Sequence, residues 1–185
     1  MSNNLRLFTQ AVYAFDAVVR RTGDEQWSAA TPCEGWDARD LLQHQCAVLN
    51  GVAAMAASGQ MAKPTPPEDM SDPQAVWTET RDTLLAALDQ QGALGQEGPF
   101  WFNKATIDDT IGFVMWDATT HAWDLAQATG QDACLDDSLV QAVYDVVAPM
   151  SDMLVESGRT GAVVDVADDA PILDRYLALV GRNPA

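Results

Sequence analysis

Basic side chains are scarce in this chain of 185 residues. Two lysines (Lys63, Lys104) and eight arginines stand against 27 Asp and Glu, for a formal net charge of −17. No basic stripe exists to neutralise phosphates, which excludes DNA, RNA and anionic membrane surfaces as expected partners. The acidity reads as a solvated surface. Cysteine is scarce as well: Cys33, Cys46 and Cys134 are widely spaced and form no C-x-x-C pair. That pattern argues against a disulfide framework and against a cysteine zinc site, and a reducing cytoplasm is the expected compartment. No apolar run reaches membrane-spanning length, and the opening MSNNLRLFTQ lacks the apolar stretch of an export signal. Histidine is as rare as lysine, with only His44 and His121.

What is abundant is helical patterning. Hydrophobic residues make up 48% of the chain, a globular composition, and the length suits one domain over residues 1–185. Leu5, Phe8, Val12, Phe15 and Val19 recur at steps of three and four, predicting a first helix over 3–22. A second runs from about Asp37 to Ser58 after the structured loop SAATPCEGWDARD. The proline-bearing stretch 59–72 reads as an exposed crossing. Pro73 fits the first turn of a third helix that Gly92 ends, and residues 93–106 suggest a short extended segment. A fourth helix is expected from near Asp108 to just before Gly130, and a fifth from Asp136 to Ser157, bent at Pro149. The tail suggests an extended piece and one small helix from about Ala170 to Val180. The expected fold is all-α: an up-and-down four-helix bundle with one or two extra short C-terminal helices.

Two stripes carry ionisable groups where apolar ones belong. In the fourth helix the face runs through Thr110, Val114, Asp117, His121 and Leu125; in the second it runs through Leu41, His44 and Val48. An unpaired charge on a core-facing stripe costs several kcal/mol on an approximate scale. One divalent metal held by His44, Asp117 and His121 would account for all three, because imidazole and carboxylate suit zinc, nickel or ferrous iron. A hydrogen-bonded core network, or a simple helical ion pair between Asp117 and His121, accounts for them too. Asp124, three residues beyond His121, is placed to accept a hydrogen bond from its second ring nitrogen, or else lies on the surface. Cys46, about 200° around the helix from His44, is expected in the core. Cys33 is expected to be a buried, inert thiol near the bundle end, and Trp116 and Trp123 to pack or line a pocket.

The stretches TPCEGWDARDLLQHQCAVLNG, DATTHAWDLAQATGQ and DDAPILDRYLALVGRNPA together resemble the DinB-like bundle superfamily. Specifically, they are similar to its actinobacterial branch, related to the N-terminal domain of mycothiol-dependent maleylpyruvate isomerase. The resemblance implies a four-helix bundle with one divalent metal on His44, Asp117 and His121. Typical DinB-like proteins use three histidines, and the isomerase uses glutamate where this chain has the shorter Asp117. The isomerase also carries an additional C-terminal domain that 185 residues are too few to contain, so fold and metal carry over and substrate does not.

Three protein ligands leave a position open for catalysis. The resemblance implies mycothiol as the thiol that a metal would activate for attack on a small electrophile, a thiol transferase or isomerase reaction. Two alternatives stand beside it: a metal-activated-water hydrolase, and a non-catalytic bundle that binds a metal or small ligand. Exposed apolar surface on helix one or five would allow a homodimer.

Overall fold

The computed structural model describes residues 2–59, 65–100 and 103–184. Four long helices form the body: α1 (Asn3–Arg21), α2 (Ala38–Ser58), α3 (Pro73–Leu88) and α4 (Ile107–Thr129). Each begins where a side chain can satisfy the free backbone N–H groups of a first turn. Ser2, Asp37, Asp72 and Thr106 accept from backbone amides at the four N-termini, and Pro73 follows its cap at the first helical position. α2 and α4 end on Gly59 and Gly130, both at φ +67°, a left-handed conformation that costs glycine little.

α1 packs against α4 and α3, and α2 against α3 and α4, so α1 and α2 stand diagonally. Ser2 and Asn4 bond Asp108 while Arg21 and Thr22 meet Gln131, which makes α1 and α4 parallel. Gln74 and Trp77 reach back to Val19 and Asp16, so α3 opposes α1. With α2 also opposed to α4, the helix directions in the bundle are up, down, down, up. Such an order requires the proline-bearing connection to return along α2, and Gln43 near the start of α2 donates to the carbonyl of Pro67 at 2.6 Å. Residues 60–64 of that crossing lie outside the described residues.

The core is filled by Phe8, Phe15, Leu41, Leu49, Trp77, Ile107, Ile111 and Leu125. Gly112 lets α1 and α4 approach closely: a Cβ there would lie 2.7 Å from Asn4 Nδ2. One ionic group is buried between α1 and α3, where Asp16 accepts from Trp77 Nε1 at 2.9 Å and also pairs with Arg81 and Arg20.

Several boundaries differ from expectation. α3 stops at Leu88, before Gly92, which instead opens a 3-10 turn over Ala93–Gly95. The extended segment is an antiparallel hairpin, β1 (Glu97–Phe100) with β2 (Asn103–Thr106), residues 101 and 102 lying outside the described residues. The fifth helix divides at Pro149, which has no N–H to donate: α5 (Asp137–Val147) gives way to a 3-10 turn and then α6 (Ser151–Glu156). The extended piece expected in the tail from Val163 onward forms no strand, and α7 spans Ile172–Leu179. α5 packs on α4 and α7 packs on α5, adding short helices to one side of the bundle. Among the described residues no helix is long and apolar enough to cross a membrane.

Candidate metal centre

The capping box at Asp37 starts α2 at a point that sets His44 two turns in, facing α4. The box at Thr106 similarly sets the phase of α4, and the i, i+4 spacing puts Asp117 and His121 one above the other on the side toward α2. His44 Nε2 lies 3.4 Å from Asp117 Oδ1, and His121 Nε2 lies 3.6 Å from the same oxygen. The two rings meet edge to face with centroids 5.1 Å apart, and Trp36 packs against His44 at a tilt of 44°, centroids 5.0 Å apart. The second Asp117 oxygen accepts from the amide of the fully buried Gln45. That bond fixes the carboxylate plane and leaves Oδ1 toward the histidines.

His121 is held from behind. Its Nδ1 lies 2.9 Å from Asp124 Oδ2. Asp124 has no exposed side-chain surface and is gripped by both arms of Arg182, with Nε at 3.0 Å from Oδ1 and Nη2 at 2.8 Å from Oδ2. Cys33 completes this group. Its Sγ donates to Asp124 Oδ2 at 3.3 Å and accepts from Arg182 Nη2 at 3.3 Å. Cys33 is thus half-buried at a cleft where full burial was expected; its neighbours come from α4 and from near residue 182, a proximity that local spacing does not encode. Cys46 is in the core, where burial pushes its thiol up to about 11 despite a hydrogen bond from Thr80. Trp116 lines the cleft, and Trp123 packs half-buried against the core.

Burial raises the Asp117 carboxyl, yet His121 and then His44 outweigh it and hold the acid well below the usual carboxylate range. His121 is the converse: burial lowers it, and Asp117 and then Asp124 lift it well above an ordinary imidazole. Asp124 is lowered too, burial opposing and His121 and Arg182 prevailing. The centre therefore concentrates negative charge that a proton on His121 and the Arg182 guanidinium balance.

Such a donor set fits a divalent cation. Ligands about 2.0–2.1 Å from a tetrahedral ion stand roughly 3.4 Å from one another, close to the observed 3.4 and 3.6 Å. These contacts are long for hydrogen bonds and normal for the edges of a coordination shell. The Nδ1 contact with Asp124 directs the His121 Nε2 lone pair to the same point. Cys33, His121 and Asp124 also lie within ligand reach of one another. There the Arg182 guanidinium already occupies both oxygens of Asp124, so that side is filled by a cation of its own. The triad opens onto a cleft of about 820 Å³ between α2 and α4.

The sequence pattern named His44, Asp117, His121 and Asp124, and the structure brings all four together. It did not name Gln45 or Arg182, and it placed Cys33 near the bundle end without assigning it to the site. Gln45 follows His44 by one residue, about 100° around the helix, and only its long side chain reaches Asp117.

Comparison with known proteins bears on the same residues. The sequence model of the family described as "mycothiol maleylpyruvate isomerase N-terminal domain" matches residues 8–126, which span α1 through most of α4 and include the triad and Asp124. Two curated relatives are uncharacterized proteins of Mycobacterium tuberculosis, from strains CDC 1551 and H37Rv. Each is 29% identical over 176 residues, covering 92% of this chain and 92% of the relative. No solved structure matches the chain.

Proposed function

The chain belongs to the mycothiol maleylpyruvate isomerase N-terminal domain family, and we propose from that membership and from the triad that it is a metal-dependent thiol transferase. The reaction joins a low-molecular-weight thiol of the mycothiol type to a small electrophile. His44, Asp117 and His121 would hold one divalent cation, zinc first and nickel or ferrous iron next. The observation that carries the reading is the convergence of two imidazole Nε2 atoms on one Asp117 oxygen at the wall of an open cleft.

A bound divalent cation supplies Lewis acidity that favours the thiolate over the thiol at neutral pH. The chain's own residues do the rest. Gln45 orients Asp117, Asp124 keeps a proton on His121 Nδ1, and Arg182 neutralises Asp124 so that it can stay ionised in a buried position. Trp36 covers the His44 ring, and Phe113, Val114 and Trp116 keep the adjoining cleft poor in water.

Elemental analysis of tag-free protein tests the first half. About one ion per chain is expected in the wild type and none in His44→Ala or Asp117→Ala; His44 is one-third exposed, so its truncation should spare the fold. Absence of any ion after reconstitution with zinc, nickel and ferrous iron would leave the triad as a core polar network. Consumption of mycothiol with small electrophiles, lost in folded His44→Ala, tests the second half.

A further inference from the structure

Gln45 is out of keeping with its surroundings. It sits on α2 with no exposed surface, and so do Leu41, Leu42 and Leu49, its neighbours three and four residues away on the helix. Its side-chain amide is half used. Nε2 donates to Asp117 Oδ2, while Oε1 is buried with no hydrogen-bond partner among the described residues. Turning the amide over would not repair this, since Oε1 would then face a carboxylate oxygen, acceptor against acceptor. A buried acceptor left unpaired is unfavourable. Methionine has a similar length and helix propensity and would fill the position with no strong polar group to satisfy. Packing therefore does not account for an amide at this position; the hydrogen bond to Asp117 does.

The two Asp117 oxygens then have separate tasks. Oδ1 stands 3.4 Å from His44 Nε2 and 3.6 Å from His121 Nε2, whereas Oδ2 is turned to Gln45. A carboxylate can give a cation one oxygen or both, and the choice sets how many positions remain on the ion. With one oxygen the chain offers three donor atoms, which leaves a four-coordinate ion such as zinc one position for a substrate. With two, that position on a four-coordinate ion would be filled. A second oxygen suits instead the ions that prefer oxygen ligands and octahedral shells, manganese among them.

We propose that Gln45 is a positioning residue that selects the ion. By holding Oδ2 it limits Asp117 to one ligand oxygen, favours a four-coordinate cation over manganese, and keeps the remaining position clear. It acts through Asp117 and touches neither ion nor substrate. The inference rests on the metal reading of the triad and adds to it the side chain that sets the coordination number.

Gln45→Met, which keeps the length of the side chain, and Gln45→Leu are compared with the wild type after loading with cobalt(II), whose visible absorption reports its geometry. The wild type is expected to show the intense bands of a four-coordinate ion. In both variants Oδ2 is released, and the bands should weaken several-fold as the second oxygen raises the coordination number. Zinc affinity, from competition with a chromophoric chelator, should fall about 10–100-fold while manganese affinity holds or rises, so the preference for zinc drops by about tenfold or more. Chelator-treated Gln45→Met should melt close to chelator-treated wild type, because the unpaired Oε1 leaves together with the donor. Variants that melt far lower but keep the wild-type cobalt spectrum and zinc preference would give Gln45 a structural role only, and variants that match the wild type in every reading would give it none; each result overturns the proposal. X-ray absorption of the zinc-loaded wild type needs no variant: four-coordinate zinc is expected, and a five- or six-coordinate ion refutes this inference while leaving the metal reading in place. A wild type that takes up neither zinc nor cobalt refutes the metal reading, and this inference with it.

Discussion

His121 Nδ1 lies 2.9 Å from Asp124 Oδ2, one helical turn further along α4. This contact decides which nitrogen of His121 faces the triad. Asp124→Asn keeps an acceptor of similar shape but removes the charge that makes the opposite nitrogen basic. Metal affinity, measured by competition with a chromophoric chelator, should fall about 10–100-fold. The same substitution takes away Arg182's counter-ion, and breaking a buried pair costs roughly 3–5 kcal/mol. Arg182→Gln separates the effects: its affinity loss should be smaller, because Asp124 still reaches His121. Unchanged affinity in Asp124→Asn would show that the contact plays no part in metal binding.

The metal-free centre should also respond to pH in a defined direction. His121 is raised in the folded state, so its contribution to stability is complete below an ordinary imidazole's value, about 6.5, and is lost as pH rises through the raised value. Asp117 is lowered, so its contribution is present above about 3.9 and is lost as pH falls through its depressed value. Thermal melts of chelator-treated protein should therefore lose stability above about pH 6.5, and His121→Gln should flatten that slope. Metal binding must displace the His121 proton, so apparent affinity should rise with pH over the same range, with proton release visible as a buffer-dependent heat. Affinity independent of pH between 6 and 8 would contradict ligation by His121.

Much of this was legible in local pattern. Asp37 and Gly130 mark helix ends because capping depends on neighbours in sequence, and the start of α2 and the end of α4 follow. His44, Asp117 and His121 could be found because an intrahelical spacing and an apolar stripe place them on one face before tertiary structure is known. Cys33 and Arg182 could not: one sits in a loop and the other 149 residues later in the tail, and only the folded chain brings them within 3.3 Å. The division of the fifth helix at Pro149 was half legible, since proline predicts either a bend or a break and packing against α4 and α7 decides between them.

The three thiols should separate by reactivity. Cys134 is exposed, Cys33 is half-buried at the cleft, and Cys46 is buried with its thiol raised to about 11. The thiolate is the reactive form, so Cys46 should resist an aromatic disulfide reagent at pH 8 until the protein is denatured. Cys134 should react at once. Cys33 should react more slowly, because its half-buried Sγ is held between Asp124 Oδ2 and Arg182 Nη2. A Cys46 that labels as fast as Cys134 in native buffer would mean that α2 opens readily.

Asp16 gives a test of the bundle away from the cleft. Its carboxylate is buried between α1 and α3 and meets Trp77 Nε1 at 2.9 Å, Arg20 at 2.8 Å and the nearly buried Arg81. Among the described residues, Asp16→Ala leaves Arg81 with only Asp82, whose side chain is largely exposed, and leaves an indole N–H without an acceptor. Stripping one partner from a buried pair costs roughly 3–5 kcal/mol, and the unpaired indole adds about 1–3 kcal/mol. Removing both charges is a different change, because neither desolvated ion remains. Asp16→Leu with Arg81→Met should recover most of the loss, and urea unfolding of the single and double variants would measure the coupling. If the single variant alone loses less than about 1 kcal/mol, the guanidinium has found water or another partner, and α3 is less firmly seated on α1 than the packing of Trp77 against Phe15 indicates.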